Sequence, residues 1–174
     1  MQNCVLTAPD ARYAAQIMDY RRAFLQQGDG FHGCGSLRDC ETAETWLEQL
    51  RLMSSPETCP PGLVDSETWL GVDPEMDTLL GIIDFRHHID HPILGLWGGH
   101  IGYSVHPDFR RRGVATQMLQ QLLPKCRARG LERVLVTCDA DHIASETVIR
   151  RCGGQYESTV DTPEGPVQRY WITL

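Results

Sequence analysis

The sequence lacks any apolar run close to the ~20 residues that a membrane-spanning helix requires. A secretory signal is not visible either, because residues 1–10 have no basic start and no apolar segment after it. No internal repeat or low-complexity tract interrupts the 174 residues. These absences argue against a membrane-spanning protein and a repeat array, and they favour a cytoplasmic protein with no membrane partner.

The cysteine patterns of cross-linked and metal-binding proteins are missing as well. The chain has seven cysteines, an odd number, with no C-x-x-C motif and no finger-like spacing to histidine. We therefore expect reduced thiols, no disulfide framework and no structural metal. The cysteines stand at positions 4, 34, 40, 59, 126, 138 and 152.

Positive charge is scarce, and lysine is almost absent. Fifteen of the 16 basic residues are arginine, and the formal net charge is −7, so nucleic acid is not an expected partner. Seven of the basic residues nevertheless fall within residues 110–133, where Glu132 is the single acid. This run is either a solvated helix face or a local anion site. Arginine is the side chain best suited to phosphate.

The hydrophobic pattern predicts one α/β domain over residues 1–174 with a mixed central sheet. Strands are predicted at 3–8, 67–72, 78–86, 98–105, 131–138, 155–161 and 166–173. Helices are predicted from residues 9–10 to Gly28, after residue 39, at 112–128 and at 142–152, and loops at 28–36, 54–64 and 87–97. Asp39 is expected to cap the second helix, with Thr42, Trp46, Leu47 and Leu50 on its inner side. Pro124 is expected to kink the third helix or end its regular part.

The most informative segment reads Val105-His-Pro-Asp-Phe-Arg-Arg-Arg-Gly-Val-Ala-Thr116. A strand ends at Val105, and a basic, glycine-containing loop then opens directly into a helix. Unpaired backbone N–H groups at a helix start attract anions, and Gly113 would let a phosphate approach the backbone closely. No Gly-Lys-Ser/Thr follows and no G-x-G-x-x-G is present, so the segment is neither a Walker loop nor a dinucleotide fingerprint.

Arg110-x-x-Gly113-x-Ala115 resembles the acetyl-CoA signature Gln/Arg-x-x-Gly-x-Gly/Ala of the GNAT N-acetyltransferases. Residues 131–154 look like that family's fifth strand and fourth helix. The pieces RHHID, GGHIGYSV, LVTCDADHIAS and RYWI look like a bacterial subgroup of predicted acetyltransferases. The resemblance implies a mixed sheet of about seven strands that splays apart between the fourth and fifth strands, with about four helices.

The resemblance also implies acetyl-CoA as cosubstrate, no metal, and a set of cofactor-binding residues. Backbone groups of Tyr103, Ser104 and Val105 would meet the pantetheine arm. The pyrophosphate would be wrapped by Arg110, Arg111, Arg112, Gly113, Val114, Ala115 and Thr116. At the start of the fourth helix, where the family often carries Asn-x-x-Ser/Ala, this chain has His142 and Ser145. Arg150 and Arg151 either approach the 3′-phosphate or serve as surface residues.

His142 is one departure from the family pattern, and the position of the catalytic tyrosine is a second. The tyrosine with which many members protonate the leaving thiolate falls on Ile149, and the nearest later phenol is Tyr156. An amine acceptor also needs a base, and His100, predicted in the middle of a strand, is the candidate general base, with a purely structural role as the alternative. His87, His88 and His91 cluster in a loop, but no carboxylate spacing supports a metal there.

The expected function is therefore direct transfer of an acetyl group to a primary amine of a small molecule or protein. A catalytically silent acyl-CoA-binding or regulatory module is the alternative, and an unrelated nucleotide-binding protein is a third interpretation. The acceptor and the oligomeric state cannot be read from the sequence, and a homodimer remains open.

Overall fold

Seven strands form one twisted mixed sheet in the computed structural model, which describes residues 2–174. The strands are β1 (Val5–Thr7), β2 (Ser66–Asp73), β3 (Thr78–Arg86), β4 (Ile101–Val105), β5 (Arg133–Asp139), β6 (Gln155–Thr162) and β7 (Gly165–Thr173). The α-helices are α1 (Ala14–Gln27), α2 (Ala43–Met53), α3 (Val114–Ala128) and α4 (Ile143–Arg151). The strand order is β1-β2-β3-β4-β5-β7-β6. The predicted α/β fold and its splayed sheet are confirmed.

The sheet divides between β4 and β5, its one parallel pair of neighbours. Only Ile101 and Val136 are in register there, whereas β3 and β4 share five registered pairs and β5 and β7 share seven. Beyond Ile101 the two strands diverge, so one edge of each faces open space. A buried backbone edge needs a hydrogen-bonding partner, and a gap of this kind invites an extended ligand.

Helices cover both faces of the sheet and bury two apolar clusters. Ile17, Tyr20 and Phe24 of α1, with Tyr13 just before the helix, pack with Trp46 of α2 against the inner positions of β2 and β3. On the opposite face, α3 and α4 pack on β3, β4, β5 and β7 through Met118, Leu119, Leu122 and Ile149. The sheet is thereby fixed from both sides, although its centre is open.

The glycine-rich segment 28–36 is a loop, as predicted, and it lies directly on β4. Gly33 has φ +75°, and a Cβ at this position would overlap the carbonyl oxygen of Gly102. Trp46 Nε1 donates to the Cys34 carbonyl at 2.8 Å, which ties the loop to α2. The loop therefore meets β4 one residue beyond the last β4–β5 pair.

Several local expectations are corrected. Thr42, not Asp39, caps α2 by accepting from the Thr45 N–H at 3.2 Å, and it is exposed, not on the inner side. Asp39 instead ends a short 3-10 turn. The fourth strand begins at Ile101, because Gly99 with φ +70° turns the chain just before it. The 87–97 loop leads into a π-helical turn at Leu94–Gly98, and α3 continues through Pro124.

The short strand β1 is held by side chains of α3. Gln117 accepts from the Cys4 N–H at 3.2 Å and donates to the Gln2 carbonyl at 2.7 Å. One turn later, Gln121 accepts from the Leu6 N–H at 3.1 Å and donates to the Cys4 carbonyl at 2.8 Å. These amides satisfy backbone groups that a sheet edge otherwise leaves open. No helix in residues 2–174 combines the length and the apolar character needed to cross a membrane.

We predict that Gln121→Ala lowers the free energy of unfolding by about 1–2 kcal/mol, because it removes two hydrogen bonds and leaves backbone groups of β1 unpaired. The neighbouring, exposed Gln120→Ala is the matched control and is expected to change stability by less than about 0.5 kcal/mol. Urea unfolding of the two variants measures the difference. Equal stabilities would mean that the glutamines do not hold β1.

Candidate functional site

A cleft of about 310 Å³ occupies the gap between the diverging strands. One wall is formed by Ile101, Gly102 and Tyr103 of β4, and the other by residues 137–139 of β5. His142 and Ser145 line the cleft at the start of α4, and Thr162 and Glu164 line it from the β6–β7 hairpin. The remaining lining comes from the loop at His32, from the π-helical turn and Ile93 just before it, and from Arg86 of β3 and Val167 of β7.

The π-helical turn Leu94–Gly98 bridges the two halves of the sheet. On the β3 side, Arg86 Nη1 donates to the Gly98 and Gly99 carbonyls at 3.0 and 3.1 Å. On the other side, Arg169 Nη1 donates to the Gly95 carbonyl at 2.8 Å, and Thr137 Oγ1 donates to the Trp97 carbonyl at 2.8 Å. The bonds from the two arginines have charged donors and are therefore stronger than neutral ones. Sequence reasoning missed both arginine clamps, because their partners are backbone carbonyls that carry no sequence signal.

The loop before α3 presents a row of free backbone donors. Arg111 and Gly113 have φ of 62° and 84°, and Gly113 stands immediately before the helix. Within residues 2–174, the N–H groups of residues 111–116 make no hydrogen bond, and the first α3 bond runs from Gln117 to the Gly113 carbonyl at 3.1 Å. Free donors at the positive end of a helix form an anion site. The predicted loop geometry is therefore present.

The three arginines of this loop differ in their surroundings. Arg110 Nη2 contacts Asp29 Oδ2 at 2.6 Å, its Nε donates to the Val105 carbonyl at 3.0 Å, and its guanidinium lies over Phe24. Arg112 lies over the Phe109 ring, with 5.6 Å from Cζ to the ring centroid. Arg110 thus braces the loop against α1. The expected direct contact of all three side chains with a phosphate stays a prediction, for which Arg111 and Arg112 are better placed.

A pair of hydroxyl groups joins β4 to α4 within the cleft. The Tyr103 hydroxyl lies 2.8 Å from Ser145 Oγ, and Ser145 is buried. Burial raises the pKa of Tyr103, so the phenol is neutral at physiological pH. Ile149, on the same face of α4 one turn later, is fully buried in the apolar cluster. Sequence reasoning placed Tyr103 at the cleft for its backbone and missed the hydroxyl.

Cys138 also lines the cleft, from the end of β5. Burial raises the pKa of this thiol to about 11. The reactive form of cysteine is the thiolate, which is therefore scarce at neutral pH. Cys138 is consequently a poor covalent nucleophile.

His100 does not stand in the middle of a strand, and it does not line the cleft. The ring Nδ1 of His100 accepts from the Leu135 backbone N–H at 2.9 Å, and the backbone N–H of His100 donates to the Leu135 carbonyl at 2.8 Å. Burial, together with the nearby charge of Arg86, lowers the pKa of His100 to about 4. With Nδ1 as acceptor, the neutral ring carries its proton on Nε2. These contacts favour the structural alternative over the role of general base.

Three of the other residues singled out in the sequence, His87, His91 and Arg150, have hydrogen-bond or ion-pair partners within the protein. His87 Nδ1 bonds to Asp65 and its Nε2 lies 3.6 Å from Glu67, while His91 Nδ1 accepts from Ile93 N–H. No group of three or more potential metal ligands converges anywhere in the described part of the chain. Arg150 pairs with Glu146 at 2.8 Å.

Two further titratable side chains line the cleft: His32, from the loop between α1 and α2, and Glu164, from the β6–β7 hairpin. His32 precedes Gly33, whose backbone contacts β4 at Gly102. Glu164 stands at the tip of the β6–β7 hairpin, where its N–H donates to Thr162 Oγ1 at 3.2 Å. Neither was named as a candidate from the sequence, because each lies in a loop without a motif.

Comparisons with known proteins agree on one family. The family model described as an acetyltransferase (GNAT) domain matches residues 14–155. A curated relative, an acetyltransferase (plu1384) of Photorhabdus laumondii, is 31% identical over 88 residues, a match covering 43% of this chain and 62% of that protein. The chain therefore spans less than two thirds of that relative's length.

Solved structures show the same fold. The RimL ribosomal L7/L12 alpha-N-protein acetyltransferase, solved in complex with coenzyme A, superposes with a TM-score of 0.69 at 20% identity, covering 100% of this chain and 96% of that one. The ribosomal-protein-S5-alanine acetyltransferase of Vibrio fischeri gives a TM-score of 0.71 at 14% identity, covering 99% and 94%.

We predict that His100 makes stability depend on pH in a defined direction. Because the folded pKa of about 4 lies below the ordinary value of about 6.5, the unfolded chain binds the proton more tightly. The free energy of unfolding should therefore fall as the pH drops from about 6.5 towards 4, by up to about 3 kcal/mol from this residue. His100→Asn keeps an acceptor for Leu135 but does not titrate, so its curve should be flatter. Urea unfolding across this pH range measures both, and parallel curves would contradict the assignment.

Proposed function

The chain belongs to the GNAT acetyltransferase family, and from this membership we propose that it transfers an acetyl group from acetyl-CoA to a primary amine by direct attack. The observation that supports this best is the continuity of two features. The open edges of β4 and β5 lead through Val105 to the row of free N–H donors before α3. A pantetheine arm and its pyrophosphate need such a path.

In this proposal, the pyrophosphate lies at the backbone N–H groups of residues 111–116, and the charges of Arg111 and Arg112 assist. The pantetheine arm lies along Tyr103, Ser104 and Val105, whose backbone edge towards β5 has no strand partner. His142 and Ser145 would border the arm at the start of α4. The RimL neighbour, solved with coenzyme A, supports this use of the fold.

Direct transfer fits the groups in the cleft better than a covalent acyl-enzyme. Cys138, the cysteine that lines the cleft, is held as the neutral thiol by its raised pKa of about 11. In direct transfer the amine nitrogen forms the C–N bond to the thioester carbonyl, and the electron pair of the C–S bond leaves with sulfur. The acceptor must first lose a proton, which for a lysine-like amine costs about 4.6 kcal/mol at pH 7.

We propose Glu164 as the group that takes this proton, directly or through a water. The acceptor arrives as a cation, and Glu164 offers a carboxylate at the mouth of the cleft. On the His32 side, by contrast, the nearest carboxylate, Asp84, is buried and already paired with Arg86 at 3.4 Å and with the Gly102 N–H at 3.1 Å. His100 then has the structural role of joining Leu135 to the chain before β4.

A catalytically silent acyl-CoA-binding module remains the alternative, and the departure at Ile149 is the observation that favours it. A thiol-release assay over a panel of amines, from small molecules to lysine-bearing and N-terminal peptides, separates the two. Tight CoA binding without turnover on any amine would favour the module.

We predict that Gly113→Val weakens CoA binding by more than about 30-fold, equivalent to about 2 kcal/mol, because a branched side chain blocks the approach of phosphate to the loop. The matched control is Gly130→Val at the other end of α3, where φ is +91° and the space is open. It carries similar backbone strain away from the loop. Calorimetry should find near wild-type CoA affinity for the control, and equal affinities for both variants would remove the phosphate assignment.

We predict that Glu164→Gln lowers kcat at neutral pH by about 10²-fold or more while leaving CoA affinity unchanged. Raising the pH should restore part of the rate, because more of the amine is then already deprotonated. His32→Gln is the matched comparison and should retain most of the rate. If His32→Gln loses the activity and Glu164→Gln keeps it, the imidazole is the base.

A further inference from the structure

We propose that the Tyr103 hydroxyl donates a hydrogen bond to the sulfur that leaves when the thioester C–S bond breaks, and that Ser145 positions this hydroxyl. The inference rests on the proposed function, because it concerns the sulfur of the same CoA. The proposal gives Tyr103 of β4 the role of donor to the leaving sulfur, because α4 contains no tyrosine.

The two hydroxyls lie on opposite walls of the cleft. Tyr103 comes from β4, two residues beyond the last pair with β5, and Ser145 comes from the first turns of α4. Their oxygens are 2.8 Å apart, and both residues line the cleft. The phenol therefore spans the gap on the face of the sheet that α3 and α4 cover, beneath the path proposed for the pantetheine arm.

The Tyr103 hydroxyl has one short contact, to Ser145 Oγ at 2.8 Å, and one long contact, to the Ser145 carbonyl at 3.4 Å. Either hydroxyl can donate in the Tyr103–Ser145 bond. When Ser145 donates, the Tyr103 oxygen is the acceptor, and its own hydrogen has only the long contact to the Ser145 carbonyl at 3.4 Å. A thiolate in the cleft is a stronger acceptor than this carbonyl and would take the hydrogen in its place. Ser145 thus acts through Tyr103, as a positioning residue.

The chemistry is hydrogen bonding without proton transfer. Burial raises the pKa of Tyr103 above that of a CoA thiol, about 8.5, so the phenol keeps its proton when a thiolate lies beside it. The electron pair of the C–S bond goes to sulfur, the thiolate leaves with a hydrogen bond from Tyr103, and solvent later protonates it. Tyr103 is unchanged at the end of the cycle.

The surroundings contain few competing groups. Ile149, one turn after Ser145, is apolar and fully buried. The titratable groups that face Tyr103 are the thiols of Cys138 on β5 and Cys152 after α4, and burial raises the pKa of both to about 11. Neither carries charge at neutral pH. Tyr156 lies on the edge strand β6 and bonds to Thr159, away from the cleft lining.

The test measures the thiol pKa of bound CoA and needs no acceptor. The ultraviolet absorbance of the thiolate is followed against pH in the CoA complex, with the desulfo-CoA complex subtracted to remove protein signals. A donor to the thiolate lowers its pKa, so the wild-type complex should titrate about one unit below the free thiol value of about 8.5. Tyr103→Phe should bring the pKa back to the free value or above, with CoA affinity at low pH within about threefold.

Two further variants complete the design. Ser145→Ala should give an intermediate thiol pKa, because the phenol stays but loses its positioning partner. Tyr156→Phe, a phenol removed outside the cleft, should titrate like the wild type. A Tyr103→Phe complex with the wild-type thiol pKa, or a wild-type complex with the free value, would overturn the inference. Wild-type protein that binds neither CoA nor desulfo-CoA would instead contradict the proposed function itself.

Discussion

The single registered pair between Ile101 and Val136 is the feature on which the rest of the structure depends. A continuous parallel pairing of β4 and β5 would close the cleft and leave no backbone edge for a ligand. Because the strands diverge after this pair, Gly102 to Val105 and residues 137–139 face one another across a gap. The fold thus exchanges several ladder hydrogen bonds for a site that a polar, extended molecule can complete.

A divided sheet needs other connections to stay in one piece. The π-helical turn Leu94–Gly98 provides one, since Arg86 holds it to β3 and Arg169 holds it to β7. The His100–Leu135 pair of hydrogen bonds provides another, at the point where the two halves still meet. Helices α3 and α4 pack across both halves through one apolar cluster. The same helices carry the loop donors and Ser145, so the parts that hold the gap open also furnish its chemistry.

Much of the fold could be predicted from the sequence because hydrophobic periodicity and the turn-forming residues indicate the same element boundaries. Apolar patterning predicted the strands, and the strand–basic loop–helix pattern around Gly113 predicted the loop whose backbone donors are free. The cap of α2 was misplaced because Asp39 and Thr42 are both good caps, and only the 3-10 turn at Leu37–Asp39 decides between them. His100 was placed inside the fourth strand, whereas it stands just before β4, and its contact with Leu135, 35 positions away, leaves no signal in the sequence. Tyr103–Ser145, the arginine clamps and Glu164 depend on tertiary placement, which no spacing in the sequence encodes.

The central claim is that one ligand completes both the open edge of β4 and the loop before α3. Hydrogen–deuterium exchange of the backbone amides with and without acetyl-CoA tests this most directly. We expect acetyl-CoA to protect Tyr103 to Val105 and residues 111–116 together, with little change in α2 or in β6. Protection absent from both segments, or confined to exposed arginine-rich surface elsewhere, would contradict the account.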